Sequence, residues 1–353
     1  MLTKSSKKIG SLGSLLIFLG SLTSCNGIIT KAQNNKSNEI NQLETVKQRG
    51  YLNCGISGEI PGFSFVDFTG QYAGMDVDFC KAVAAALFND PSKIKFHELS
   101  VDERFDALQS GKIDLLSRNT TQTLSRDTSQ NIEFTPPIFY DAQGIMVNRA
   151  SGIESVADLA GKSICVAKGT TSYNNLQDYM TQEGIKYTPL AMDDREELYS
   201  SYEHNRCQAI TADTSQLVAR KILLANPQDH QVLAEKIGQE PLAPAVVHQD
   251  SQWFDVIKWV TFALIQAEEL NINSNNLSIH KNSQDSEVRR FLGKDSNLGT
   301  QMGLSDDFAL RIIKHVGNYQ EIYDRNVGEP FGLPRGQNAL WQNGGLMYSP
   351  PFN

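Results

Sequence analysis

KIDLLSRNTTQTLSR (112–126) is the stretch from which the fold and the site are read. Behind Gly111 comes a short run, Ile113-Asp114-Leu115-Leu116, of strand length. The chain then breaks into Ser117, Asn119, Thr120, Thr121, Thr123 and Ser125 and reaches Arg126. A brief apolar run bounded by a turn former reads as a buried strand. When such a strand discharges into hydroxyls and a guanidinium, its carboxyl end suits a ligand. The guanidinium is a fixed fork of donors that fits a carboxylate, and hydroxyls with backbone N–H groups complete the cradle. An exposed Ser/Thr-rich loop with its arginine in a surface ion pair has the same composition. The neighbouring sequence must decide between the two.

Upstream, residues 51–56 read as a strand and 57–63 as a loop punctuated by Gly58, Pro61 and Gly62. Residues 76–88 carry Val77, Cys80, Ala84, Leu87 and Phe88 on one helical face, and 94–98 form a second strand. Ser100-Val101-Asp102-Glu103 has the spacing of a capping box and opens a helix that runs to Gln109. Downstream the alternation repeats, with strands at 163–167, 186–190 and 208–212 and helices at 173–182, 195–204 and 215–224. Strands alternating with helices of this length give an α/β protein with parallel sheets. Gly169-Thr170-Thr171 stands where a helix begins, a position that offers free N–H groups and a favourable dipole to an anion. Asp213, at the end of the strand 208–212, either caps the next helix or faces a ligand's ammonium group. A long helix is expected over 252–270, with Trp253, Ile257, Val260, Leu264 and Ala267 on one stripe. The tail 284–353 offers one more, over 306–316, before a Gly/Pro-rich end that packs on a lobe.

The first 24 residues are read as a secretory signal: Lys4, Lys7 and Lys8 precede an apolar core at 9–22 broken by Gly10, Gly13 and Gly20. Removing those three lysines takes the formal net charge from −8 to −11. An acidic balance of this size argues against nucleic-acid binding, which wants a basic face. Residues 27–42 are polar and read as a flexible tether. What remains, 43–353, exceeds one small core and suits two lobes.

Of five cysteines, Cys54, Cys80, Cys165 and Cys207 form an even set in an exported chain, and four permit three pairings. Their placement favours pairing within lobes, Cys54 with Cys80 and Cys165 with Cys207. No C-x-x-C spacing supports zinc or redox chemistry. The six histidines, among them His97 and His248 at strand ends, show no metal spacing. Gly161-Lys162-Ser163 lacks the first glycine of a phosphate loop, has Val156 there, and precedes a strand. No general base stands beside Arg126 and Asp213, so neither an enzyme nor a cofactor is expected.

Leu22-Thr23-Ser24-Cys25 resembles the bacterial lipobox, which implies a lipoprotein signal over 1–24, an acylated Cys25 and a tether over 25–42. The rest resembles the bacterial solute-binding proteins of polar amino acid ABC transporters, of the general L-amino-acid-binding type. The runs that carry the likeness are GMDVDFCKAVAAALF (74–88), RFDALQSGKIDLLSRNTTQTLSRDTS (104–129), SQWFD (251–255), AEELNI (267–272), RIIKHVGNYQEIYDRNVG (311–328) and LWQNGGLMYSPP (340–351).

The resemblance implies the two-lobed type II periplasmic binding protein fold, each lobe a mixed, mostly parallel sheet flanked by helices. The crossover strands would lie near 140–145 and 242–246. The first lobe would comprise 43–142 with 245–353, and the second 143–244. It also implies a monomer on the periplasmic face of the cell membrane, lipid-anchored, that captures L-amino acids and delivers them to permease subunits with their ATPase. A ligand sensor or a dehydratase-like enzyme on the same fold is the alternative. By position, Arg126 is similar to the family's clamp for the α-carboxylate, assisted by Thr121, with Thr171 and Thr170 from the second lobe. Asp213 would pair with the ammonium, and Asn119 would offer its backbone to it. Ser57 stands where binders of basic amino acids carry an acid, which argues against a Lys/Arg-only pocket. Arg104 matches an arginine that acidic-amino-acid binders use, and a broad specificity is expected.

Overall fold

A computed structural model describes residues 41–353; the signal, Cys25 and the tether up to residue 40 lie outside the described residues. The expected tether ends sooner than 42. Asn41 caps the helix Gln42–Arg49, and the backbone N–H of Gln42 donates to Asp250 at 2.7 Å. Leu43 and Val46 point from this helix into the core.

The first sheet has the strand order Ile94–Glu98, Leu52–Ile56, Leu115–Leu116, Ala245–Val247, Ile132–Phe134. Its first three strands run parallel, and Ala245–Val247 runs antiparallel to both neighbours. The second sheet follows the order Thr188–Met192, Ser163–Ala167, Ala209–Asp213, Phe139–Asn148, His230–Val232, with Gly238–Leu242 also paired to Phe139–Asn148. Here too the three strands that alternate with helices are parallel, and all three partners of Phe139–Asn148 are antiparallel to it. The sheets are therefore mixed and not mostly parallel as expected, with four parallel and five antiparallel pairings. A helical crossover keeps direction between strands, whereas Phe139–Asn148 and Gly238–Leu242 pass back and forth between the sheets.

The helix Met75–Phe88 packs on the first sheet through a nearly continuous run of small residues, Ala82 to Ala86, all buried. The disulfide Cys54–Cys80 ties it to the strand Leu52–Ile56, and Cys165–Cys207 joins the strand Ser163–Ala167 to the turn before Ala209–Asp213. The helix Ser251–Glu269 buries Trp253 completely, and the indole Nε1 donates to the Asp114 carbonyl at 2.9 Å. That bond holds the start of the strand Leu115–Leu116 within the stretch 112–126.

Two readings from sequence need correction. Residues 57–63 are not only loop, because Glu59–Ile60, Ser64–Val66 and Tyr72–Ala73 form a small antiparallel sheet. Strands this short carry no periodicity to read. The tail has more than one helix: Ser286–Phe291 and Tyr319–Tyr323 flank the expected Phe308–His315. Beyond them the Asn338 side chain bonds both the N–H and the C=O of Tyr140, at 2.7 and 3.0 Å, as a neighbouring strand would. Phe352, next to the last residue, sits edge-on to Trp259 and Phe291.

Candidate ligand site

The cavity lies where the carboxyl ends of both parallel strand sets meet. Leu115–Leu116 delivers the chain into Ser117 and Arg118, both buried, and then into Asn119 with φ of 45°. Asparagine tolerates this left-handed conformation better than most residues, and it turns the chain out of the sheet. Thr123 then caps the helix Leu124–Ser129, its hydroxyl accepting the N–H of Arg126. Arg126 thus sits in a helical first turn that the sequence did not reveal. Its Nη1 donates to the Thr121 carbonyl at 2.7 Å, which points the guanidinium back to the strand end.

From the other side, Gly169 (φ 66°) makes the turn into the helix Thr171–Gln182. A Cβ there would press on Asp102 and Val101, so the left-handed turn and close approach both favour glycine. Thr170 is the N-cap: its hydroxyl accepts from Tyr173 N and donates to the Ala167 carbonyl at 2.7 Å. That hydroxyl is fully used by the cap, leaving only the Thr170 backbone for a ligand. Asp213 occupies the N-cap position of Thr214–Leu223 but makes no side-chain cap bond. Its carboxylate instead accepts from Gln216 Nε2 at 2.7 Å inside the cavity.

Asn119, Thr121, Arg126, Arg104, Thr170, Thr171 and Asp213 line one inner compartment of about 30 Å³. Ser57 lines a neighbouring compartment of about 210 Å³, with Glu59, Glu98, Asp193 and Asp194. Val101, Arg118, Ala167 and Arg195 belong to both and form the neck. The walls touch across the cleft: the hydroxyls of Thr121 and Thr171 are 3.3 Å apart, and Gln216 Nε2 donates to Asn119 Oδ1 at 2.6 Å. Arg104 is 4 % exposed, so it is no solvated helix arginine; its Nη2 reaches the Gly169 carbonyl at 3.4 Å and its guanidinium lies over Phe105.

Three groups that the sequence reading missed line the cavity, Arg118, Arg195 and Gln216, and a fourth, Glu240, is buried behind its threonines. The fully buried carboxylate of Glu240 accepts from both Thr121 and Thr171 hydroxyls and from Asn175 Nδ2. Those two hydroxyls therefore already hold an internal carboxylate, because a buried acid must find donors. Arg195 Nη1 donates to Gln216 Oε1 at 2.5 Å. Gln216, one turn after Asp213, had a helical-spacing signal, and Arg118 directly precedes Asn119. Nothing in the local sequence marks Arg195 or Glu240.

Electrostatically the cavity is a basic cluster with acids behind it. Burial, and then the other arginines, hold Arg104 well below the ordinary guanidinium range. Burial and Arg195 push Arg118 down to about 9. Burial lowers Arg126 too, opposed by the charges of Glu240 and Asp213. Asp213 is raised well above the usual carboxylate range by burial and by Glu240 and Asp141. The guanidinium cluster and a helix N-terminus can hold a carboxylate, and a buried acid can hold an ammonium.

The profile described as "Bacterial extracellular solute-binding proteins, family 3" matches residues 52–329. The chain belongs to that family. Among curated relatives, the "General L-amino acid-binding periplasmic protein AapJ" of Rhizobium johnstonii is 45% identical over 313 residues, 88% of this chain and 92% of the relative. The "Glutamate/glutamine/aspartate/asparagine-binding protein BztA" of Rhodobacter capsulatus is 43% identical, covering 88% of this chain and 93% of its own. Among solved structures, an "ABC transporter / periplasmic binding protein from Brucella ovis with glutathione bound" superposes with a TM-score of 0.87 at 43% identity, covering 89% of this chain and 99% of that one. Membership fixes the two-lobed α/β architecture and the class, a solute-binding protein. The family match ends at 329, before the segment that contains Asn338 and Phe352.

Proposed function

We propose that this protein is an exported, lipid-anchored receptor that captures one L-amino acid between two closing lobes and presents it to the permease of an ABC transporter. The lobes are 43–142 with 245–353, and 143–244, working as a monomer tethered through Cys25. The observation that carries the reading is the single cavity that joins Arg126 and Thr121 from one sheet to Thr171 and Asp213 from the other. Arg126 takes the α-carboxylate, with the first N–H groups of the helix Thr171–Gln182, which have no intrahelical acceptor, meeting it from the opposite wall. Asp213 pairs with the ammonium, and the Asn119 backbone supports it. A zwitterion gripped from both walls favours the closed state, since only closure makes both sets of bonds.

The names of the relatives support amino acids as the ligand class, with BztA extending to acidic side chains and their amides. Arg104 and the absence of an acid at Ser57 fit a pocket that admits polar and acidic residues. Glutathione, held by the Brucella ovis relative, carries an α-amino acid at its γ-glutamyl end and is compatible with the same clamp. A thermal-shift screen of the purified protein against every L-amino acid and glutathione tests the reading, because a ligand that binds only the folded state raises its melting temperature. Several polar and acidic amino acids are expected to stabilise it. A flat profile across all of them overturns the proposal.

A further inference from the structure

The basic cluster is larger than a zwitterion needs. One guanidinium, Arg126, is aimed at the place assigned to the α-carboxylate, which leaves Arg104, Arg118 and Arg195 with positive charge in or beside the same cavity. Ion pairs among the described residues engage other arginines, such as Arg49 with Asp114 and Arg335 with Glu268. A buried charge without a partner is costly, so a cavity built this way favours an occupant that brings a second negative group.

The three spare arginines are not equivalent. Arg104 spends Nη2 on the Gly169 carbonyl and places its guanidinium carbon 4.7 Å from the Phe105 ring centre, and its Nε is enclosed without a partner. Arg195 is engaged through Nη1 with Gln216. Arg118 is fixed by its Nε, which donates to the Leu99 carbonyl at 2.7 Å, and both terminal nitrogens remain without a hydrogen bond. The residue is only 4 % exposed and lines both compartments. Its terminal nitrogens keep a little surface at the neck. A planar fork anchored at one edge and free at the other is preorganised to take a carboxylate bidentately.

Resting on the amino-acid reading above, we propose that Arg118, not Arg104, receives a second carboxylate of the ligand and makes this a receptor that prefers dicarboxylic amino acids over their amides. The geometry supplies the ordering. A side chain leaving the α-carbon near Arg126 and Asp213 meets the neck before the outer compartment, and the neck is where Arg118 presents its two free donors. Carboxylates with a further extension beyond that point have the space beside Ser57 available to them.

Calorimetric titration of the intact protein with L-glutamate and L-glutamine tests this. Wild type is expected to bind glutamate roughly 10- to 100-fold more tightly than glutamine, the range that one charged hydrogen-bonding pair supplies. Arg118→Gln should erase that preference, with glutamate affinity falling by much more than glutamine affinity. Arg118→Lys, which keeps the charge without the fork, should retain part of the preference. Arg104→Gln should change both ligands alike. Equal affinities in wild type, or a preference that follows Arg104 instead of Arg118, overturns the assignment. The wild-type ratio needs no variant to fold, and glutamine binding reports the integrity of each variant. A wild-type protein that binds neither ligand, nor any other amino acid, defeats the amino-acid reading itself, whereas binding with no dicarboxylate preference defeats only this inference.

Discussion

The wall that carries Arg126 and Arg118 is held by its own backbone, whereas the wall that carries Thr171 and Asp213 is held by side chains that reach elsewhere. In the first, Arg118 is pinned to the Leu99 carbonyl and Arg126 to that of Thr121, while Trp253 secures Asp114 at the strand's start. In the second, Asp213 depends on Gln216, and the same Gln216 nitrogen also bonds Asn119 across the cleft. The cores beneath them differ in size. A large cluster running from Leu43 to Phe352 lies on one face of the first sheet, and a smaller one with Leu116, Ile132 and Ala245 on the other. The second sheet separates two smaller clusters: Ile145 and Val147 face one side, Met146 the other, as strand alternation requires. The difference suggests a division of labour, in which a preformed wall reads the ligand and an adjustable wall closes on it.

That contrast can be broken most severely at Trp253. Trp253→Ala removes a fully buried indole and its bond to Asp114, so denaturant unfolding should show a loss of about 3–5 kcal/mol. A loss under about 1 kcal/mol would mean the first wall does not lean on this residue. The next effect concerns pH. Asp76 lies behind the first wall, fully buried, accepting from Ser117 Oγ at 3.2 Å with its other oxygen unpartnered. Burial pushes its carboxyl up to about 6 from an ordinary 3.8. The folded state then holds the proton more tightly than the unfolded one. Its contribution is complete below about pH 4, fades as pH rises through 6, and is absent above. The difference is of order 2–3 kcal/mol, at about 1.4 kcal/mol per pKa unit. Asp76→Asn should flatten the fall in stability between pH 4 and 6.5, and an unchanged slope would remove Asp76 as its source.

A smaller effect is expected at the adjustable wall. Gln216→Ala takes away the donor to Asp213 and Asn119 and the acceptor for Arg195. Stability without ligand should fall by about 1–2 kcal/mol, the usual cost of leaving a buried polar group unpaired. A saturating amino acid, by giving Asp213 an ammonium partner, should recover most of that loss. If added ligand restores nothing, the second wall is as rigid as the first.

Legibility followed the same division. Elements that declare themselves locally were readable: the alternation of strands and helices, the capping box, whose two bonds join Ser100 and Glu103, and the helix start at Thr171. Arg126 and Asp213 were readable as the polar ends of apolar runs. Glu240 was not, because it precedes Pro241, which interrupts any strand pattern there. The segment becomes a strand only by pairing with Phe139–Asn148, where Glu240 stands opposite Asp141. Arg118 was hidden by its neighbours, since burial distinguishes it from any polar residue after a strand only once Leu99 is placed against it. Thr170 was over-read: a threonine before a helix has a cap to fill first.

The claim that everything else rests on is the clamp, and calorimetry on Arg126→Ala reads it most directly. Loss of this guanidinium leaves the ligand's carboxylate desolvated and unpaired, so affinity for the best amino acid should fall by roughly 2–5 kcal/mol. Binding as tight as wild type would contradict the account.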